Sequence, residues 1–450
     1  MTLQGLLEAL AGEPGLDRAR RLAAAGSTDL EIVCPLGARP PALAALAAAP
    51  PRGAGRPLLV VTATGRECED LASALRCYLP AEGVAEFPSW ETLPHERLSP
   101  RSDTVGRRLA VLRRLTHPSP DDPVSGPIQV LVAPIRAVIQ PVVTGLGELT
   151  PVGVNTGQTA ELDTLVEQLA SAAYTRVDMV EHRGEFAVRG GILDVFPPTE
   201  DHPLRVEFWG DTVEEIRWFS VADQRSLEIA DRGLWAPPCR EILLTREVRQ
   251  RAADLALALP GFADMLEKIS QGIAVEGMES LAPLLADGMQ PVIDLLPTGT
   301  AVILVEPERI RTRTRDLVAT SEEFRAAAWA TAAGGGQTPL DPAGTDLSAA
   351  SYWSLARLRE HALAAAVPWW SVTGLARDTE LPVQGASDAL GDTAADADDA
   401  ARTVVLGLRE TRGYRGETEK ALTDLRNMVA EGWSVVATTE GSGPAARMVE

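Results

Sequence analysis

The stretch Pro57-Leu58-Leu59-Val60-Val61-Thr62 constrains this chain more than any other. It carries no polar alternation, so as a strand it has no solvated face, and strands buried on both faces belong to parallel sheets covered by helices. Ala63-Thr64-Gly65 then makes a turn, and 66–78 reads as a helix with Leu71 and Leu75 inward. Strand, turn and helix in that order open an α/β domain. Upstream, Leu3, Leu6, Leu7 and Leu10 mark one helix face that ends at Gly12 and Pro14, and 40–49 is a short Ala/Leu-rich helix. Downstream, 84–87 reads as a strand, 104–115 as a helix with Val105, Leu109 and Leu112 on one side, and 128–132 as another continuous apolar strand. A further buried-type strand, Thr300 to Glu306, returns much later in the chain.

The pattern changes near residue 150. From Val152 to Val221 it reads as strands and turns around one helix at 159–172. Segments 204–208 and 212–219 flank Gly210-Asp211, a two-residue hairpin signal. The fold class expected is therefore α/β: a RecA-like, P-loop-type parallel sheet interrupted by a small, mainly antiparallel α+β domain. The organisation reads as 1–148 for the first part of the α/β domain, 149–238 for the insertion and 239–375 for the second part. Gly334-Gly335-Gly336 marks a loop, and 376–401, with five aspartates between Asp388 and Asp399, reads as a flexible acidic linker. Residues 402–450 read as the start of a further α/β unit: a strand at Trp433–Thr438, a turn at Gly441-Ser442-Gly443, and Pro444 opening a helix. The expectation is the front part of a longer protein.

Composition narrows the function. Acidic residues number 63 against 42 basic ones, a formal charge of −21, so the surface on average repels a polyanion. No run of 18 apolar residues suggests a membrane span, and Met1-Thr2-Leu3-Gln4-Gly5 lacks the basic start of a secretory signal; the expected location is cytoplasmic. Cys34, Cys68, Cys77 and Cys239 form no C-x-x-C pair and have no histidine at ligand spacing, so they read as reduced thiols with no metal. His95, His117, His182, His202 and His361 lie in no catalytic motif, and Arg107, Arg108, Arg113 and Arg114 read as a solvated helix face.

The position of a phosphate-binding loop is occupied by residues of the wrong kind. Only two lysines exist, Lys268 and Lys420, and neither stands in a Gly-Lys-Ser/Thr context. In Val60-Val61-Thr62-Ala63-Thr64-Gly65-Arg66-Glu67, Gly65 is in place, but Val60 stands for the first glycine, Arg66 for the lysine and Glu67 for the magnesium-binding hydroxyl. At the end of the second strand Val305 stands where a Walker B aspartate would, followed by Glu306 and Pro307. The expectation is a nucleotide fold without catalytic residues, cofactor or metal in this chain.

The most distinctive stretch is 174–197, Tyr174-Thr175-Arg176-Val177-Asp178-Met179-Val180-Glu181-His182-Arg183-Gly184-Glu185-Phe186-Ala187-Val188-Arg189-Gly190-Gly191-Ile192-Leu193-Asp194-Val195-Phe196-Pro197. With Arg205-Val206-Glu207-Phe208-Trp209-Gly210-Asp211 it resembles the second domain of UvrB and of the bacterial transcription-repair coupling factors. Trp90-Glu91-Thr92-Leu93-Pro94 and Ser99-Pro100-Arg101 resemble the coupling factors rather than UvrB. The resemblance implies an N-terminal UvrB-like platform that docks UvrA through its inserted domain. It carries Arg176, Arg183 and Arg189 over as polar UvrA contacts, with Phe186 and Phe196 as apolar candidates. It also implies that RNA polymerase, double-stranded DNA, ATP and magnesium are handled by domains beyond these residues.

The residues themselves fit a protein partner. Three arginines alternate with Asp178, Glu181 and Glu185, a mixed-sign surface with aromatics; the alternative is ordinary ion pairs worth about 0–1 kcal/mol each. UvrB inserts a tyrosine-rich hairpin into damaged DNA. Here 87–101 holds Trp90 and no tyrosine, so it lacks the rings that supply about 1–3 kcal/mol of stacking per base. The competing expectation, a UvrB-like or helicase-like ATP-dependent enzyme acting on damaged DNA, requires a working nucleotide site.

Overall fold

The computed structural model describes residues 3–94, 96–119, 125–259, 262–333, 351–374, 402–411, 413–414 and 417–436, without the side chains of 258 and 325–333. The expected acidic linker, the triple glycine, His95 and the turn and helix expected at 441–450 lie outside these residues. Residues 1–408 form one compact unit and 409–450 a second.

In chain order the strands are β1 (Asp29–Val33), β2 (Leu58–Thr62), β3 (Val84–Glu86), β4 (Val130–Pro134), β5 (Val142–Val143) and β6 (Val152–Val154). Then come β7 (Thr175–Arg176), β8 (Glu185–Arg189), β9 (Ile192–Val195), β10 (Leu204–Trp209), β11 (Thr212–Phe219), β12 (Ser226–Ile229) and β13 (Leu234–Ala236). Last are β14 (Met289–Gln290), β15 (Ala301–Val305), β16 (Trp369–Thr373) and β17 (Thr403–Val405).

Seven of these build one parallel sheet, in the order β17-β1-β16-β15-β2-β4-β3. Alternate residues of the same strands enter two different cores. Leu59, Val61, Leu131 and Val302 face one cluster, while Leu58, Val60, Val130 and Ile303 face the other. That is why β2 shows no polar alternation: both of its faces are covered, and all five residues are buried. The sequence reading missed β1, β16 and β17, and it placed 402 onward in a separate unit. Instead Thr403–Val405 pairs with β1 as an edge of the large sheet.

The second sheet runs β12-β11-β10-β9-β8-β7 and is antiparallel except for the short β7–β8 pair. Helix Leu162–Ser171 contributes Leu165 and Leu169 to the core beneath it, with Phe186, Leu193, Val206 and Ile216. This domain is spliced between β5 and β14, which pair with each other and close the large domain across the insertion.

A buried charge ties the two parts of the large domain together just beyond the insertion. Helix Ser102–Thr116 carries Arg108, fully buried, whose Nε donates to Glu241 Oε1 at 2.6 Å. Trp90 Nε1 donates to the same oxygen at 2.9 Å, and Arg108 NH1 donates to the Pro88 carbonyl at 2.9 Å. The solvated arginine face expected on this helix is therefore corrected. Arg108 lies inside, its guanidinium 4.3 Å from the Phe87 ring centre, and Arg113 and Arg114 donate to backbone carbonyls.

The second compact unit contains helix Thr418–Ala430, with Tyr414 Oη donating to Asp424 at 3.0 Å. Residues 433–436 have no regular structure, so the strand expected at Trp433–Thr438 is not formed over them; 437 and 438 lie outside the described residues.

Candidate functional site

Two places in the fold invite a ligand. The first is the crevice beyond the carboxyl ends of β2 and β15. Helix Gly65–Leu75, which follows β2, packs on one face of the sheet through Cys68, Ala72 and Leu75. Helix Pro307–Ala333, which follows β15, packs on the other through Ile310 and Leu317. Adjacent strands whose helices leave to opposite faces define the switch point at which open α/β sheets hold ligands.

Here the chain's own side chains close that crevice. Only Ala63 and Thr64 separate β2 from its helix, too few to wrap a phosphate with successive backbone N–H groups. Thr64 Oγ1 accepts from the Glu67 N–H at 3.3 Å and Glu67 Oε2 accepts from the Thr64 N–H at 3.2 Å, a reciprocal cap of the helix start. The other oxygen of Glu67 pairs with Arg309 at 2.5 Å, across the crevice. One strand further, Glu306 bonds Arg39 and accepts from the Gly374 N–H at 3.1 Å. Its φ of +58° is a strained value for a residue with a side chain. Burial pushes the neighbouring Cys34 thiol up to about 11, with Arg39 pulling it down and Glu306 pushing it up, so no thiolate nucleophile forms there at neutral pH. A magnesium-bound triphosphate would meet the Glu67 carboxylate at a helix start whose Glu67 N–H is already taken by Thr64. These residues do not fit it.

The second place is the outer face of the antiparallel sheet. Cross-strand register puts Ala187, Asp194, Arg205 and Arg217 in one row and Arg189, Ile192, Glu207 and Glu215 in the next, all on this face. Arg205 grips Asp194 through two bonds of 2.7 and 2.9 Å. The near end is covered: Val180, Ala187, Phe196 and Phe219 form a small cluster there, with Val177 and Val221 against it. The far end is open. Arg189 is exposed and leans on the Asp178 carbonyl through Nε at 3.2 Å and NH2 at 2.6 Å. Beside it the β10–β11 hairpin presents Trp209, 80% exposed. The Phe208 N–H donates to the Gly191 carbonyl at 2.8 Å, which sets the two hairpin tips edge to edge.

The five residues expected to contact a partner separate on this geometry. Arg189 is on the open face. Arg176 is exposed, but its register partner is Phe186, so it points to the opposite side of the sheet; its neighbour Val177 takes the outer side. Arg183 is half-buried and engaged within the domain, its Nε donating to the Glu200 carbonyl at 2.8 Å, its NH2 to Asp201 at 3.2 Å, and its guanidinium 5.3 Å from the Phe196 ring centre. Phe186 and Phe196 are buried, 1% and 6% exposed, and give a partner nothing to touch. Trp209 was missed. Its signal was strand parity: Arg205, Glu207 and Trp209 share a side, while Val206 and Phe208 fill the core.

Comparisons with known proteins coincide with this domain. Residues 152–237 match the family model of the UvrB interaction domain. A transcription-repair-coupling factor of Mycobacterium tuberculosis is 42% identical over all of this chain, which spans 35% of that protein. The chain matches the transcription-repair-coupling factors over its whole length. A coupling factor of Myxococcus xanthus is 33% identical over 57% of the chain and 22% of its own length. UvrABC system protein B of Thermosynechococcus vestitus is 30% identical over 40% of the chain and 27% of its own length. The chain thus covers about a third of the length of the coupling factor it matches throughout. Among the described residues no helix is long and apolar enough to cross a membrane, and no cluster of side chains could hold a metal ion.

Proposed function

We propose that this part of the coupling factor is a non-catalytic docking module that recruits UvrA, the nucleotide-excision-repair protein, through the open face of its inserted domain. The observation that carries the reading is that Arg189 and Trp209 are both exposed on the same face of the sheet inside the matched UvrB interaction domain. A large flat ring beside a guanidinium, rimmed by Glu207 and Glu215, is the composition of a protein-binding hot spot. The chain's net charge of −21 favours a protein partner over a nucleic acid.

The rest of the role belongs to the whole protein. RNA polymerase and double-stranded DNA would be engaged by domains outside these residues, and ATP and magnesium would serve a translocase motor there. Such a protein works in the cytoplasm, where stalled transcription is found. An ATP-dependent enzyme acting directly through this chain is disfavoured by the crevice sealed with Glu67 and Arg309.

Capture of purified UvrA by the 450-residue chain tests the reading. Arg189→Glu should abolish capture, while Arg176→Glu, on the opposite side of the sheet, should weaken it much less. Undiminished capture by Arg189→Glu would falsify the surface assignment, and ATP turnover by the chain would overturn the non-catalytic role.

A further inference from the structure

The contact between the two domains is closer than folding of either one requires. Gly106 lies in helix Ser102–Thr116, where glycine costs about 1 kcal/mol relative to alanine. A Cβ added at Gly106 would stand 2.6 Å from Pro198 Cβ, and nearer still to Cγ, in the loop between β9 and β10. The Pro198 ring is rigid and cannot swing aside. Restoring ordinary carbon contact of about 3.5–4.0 Å would push helix and loop apart by about 1 Å. One turn earlier, Ser102 Oγ donates to the Arg183 carbonyl at 3.2 Å. Gly184 follows with φ +86°, and a Cβ there would stand 3.2 Å from Cys239 Sγ and 3.5 Å from Ser102.

The same helix, together with the segment before it, holds the strand-to-link exit of the insertion. Arg108 and Trp90 hold Glu241, and Arg240 NH1 donates to Glu279 at 2.8 Å and to Ser99 Oγ at 3.2 Å. Arg183 serves the dock from the other side. Its carbonyl takes the Ser102 hydroxyl, and its guanidinium binds the Glu200 carbonyl in the loop that carries Pro198.

We infer that Ser102, Gly106, Arg183 and Pro198 form a fixed dock that holds the inserted domain in one orientation on helix Ser102–Thr116, and that Arg183 is a positioning residue of this dock rather than a partner contact. The orientation of the Arg189–Trp209 face is then set by backbone proximity, not by the two covalent links alone. The dock stands independently of the partner proposed above; only the reassignment of Arg183 rests on that reading.

Hydrogen exchange on the whole 450-residue chain tests it. Gly106→Val wedges the dock open, and Pro198→Ala removes the contact without adding bulk. Both should speed exchange in 199–203, where the Glu200 N–H donates to the Pro197 carbonyl at 3.2 Å, and at the Val105 N–H in the first turn of the helix by roughly tenfold, while 192–195 and 204–209 in the sheet keep their protection. Unchanged exchange in 199–203 for Pro198→Ala overturns the dock, and that variant decides alone if Gly106→Val does not fold. Loosening of the sheet together with the loop also overturns it, because the contact would then be part of the domain's own stability. Arg183→Ala should loosen 199–203 and weaken UvrA capture by only a few-fold, with Arg183→Lys restoring much of the protection. Loss of capture as complete as in Arg189→Glu, with exchange unchanged, would return Arg183 to the contact surface. If the unmodified chain captures no UvrA, the exchange arm still decides the dock.

Discussion

The crevice of the parallel sheet and the open end of the antiparallel sheet are built from the same kinds of residue, arginines and carboxylates, yet they are arranged for opposite ends. At the crevice each charge meets its complement within the chain: Glu67 takes both its own helix start and Arg309, and Glu306 takes Arg39. On the antiparallel sheet Arg205 and Asp194 are likewise mutually satisfied, but Arg189 leans only on a backbone carbonyl and Trp209 has no cover. The difference teaches that position in a fold marks where a ligand could bind, and that the state of the side chains decides whether one is invited. A site whose charged side chains are paired with one another has little left to offer a charged ligand, whereas an exposed ring on the same face as a weakly held cation gains from being covered.

Both regions depend on the large domain, whose two parts meet at Arg108 and Glu241 beside the exit of the insertion, and breaking that bond should have the largest effect. Arg108→Ala would leave the Glu241 carboxylate buried without its counter-ion, which costs about 3–5 kcal/mol. Urea unfolding should show this loss. Arg108→Met combined with Glu241→Met should recover most of it, since removing both charges leaves no orphan. Full stability in Arg108→Ala would mean that water reaches Glu241 and that the pair does not hold the two parts of the large domain together.

Next in size is the open face itself. Trp209→Ala should weaken UvrA capture by about 2 kcal/mol, roughly 30-fold, with the unfolding midpoint unmoved because the ring touches little of its own protein. Arg309→Ala, at the sealed crevice, should leave capture unchanged. Titration of labelled UvrA separates the two. Equal weakening by both variants would erase the distinction between the regions.

Much of this contrast was legible in the sequence, and the unreadable part has physical causes. The unbroken apolar run of β2 announced a sheet covered on both sides, and Val60, Arg66 and Glu67 announced that the phosphate loop had lost its chemistry. The reciprocal cap at Thr64 and Glu67 was also written there, as Thr-x-x-Glu before a helix. What stayed hidden depended on long-range partners. β16, with its two tryptophans, and β17, only three residues long, earn their places by pairing with β1, which local pattern does not reveal. Arg108 looked solvated because its partner Glu241 lies 133 residues away. Arg176 and Arg189 looked like one patch because closeness in sequence says nothing of which side of a sheet each residue takes.

A smaller effect sharpens the account of the crevice. Thr64→Ala removes the hydroxyl that accepts from the Glu67 N–H and should cost about 1 kcal/mol of stability. Glu67→Gln keeps a shape able to accept from the Thr64 N–H but gives up the ion pair with Arg309, whose side chain is 60% exposed, so it should cost less. Chemical unfolding of the two variants side by side checks the order. A larger loss in Glu67→Gln would mean that the pair across the crevice, not the cap, holds the strand-to-helix connection.

The smallest expected effect is the sharpest test of closure. A nucleotide that bound the folded chain would stabilise it by about 2.7 kcal/mol at a hundred times its dissociation constant. Magnesium with ATP should give no such shift here, because a triphosphate at this helix start would be set against the Glu67 carboxylate, which the Thr64 N–H and Arg309 hold in place. The informative control is Glu67→Ala, which frees the helix N-terminus and leaves Arg309 unpaired. If magnesium-ATP still leaves this variant unshifted, the two-residue connection between β2 and its helix is itself too short to cradle phosphates. If the variant gains stability with nucleotide, the carboxylate alone was the lock, and the crevice differs from a working site by one side chain.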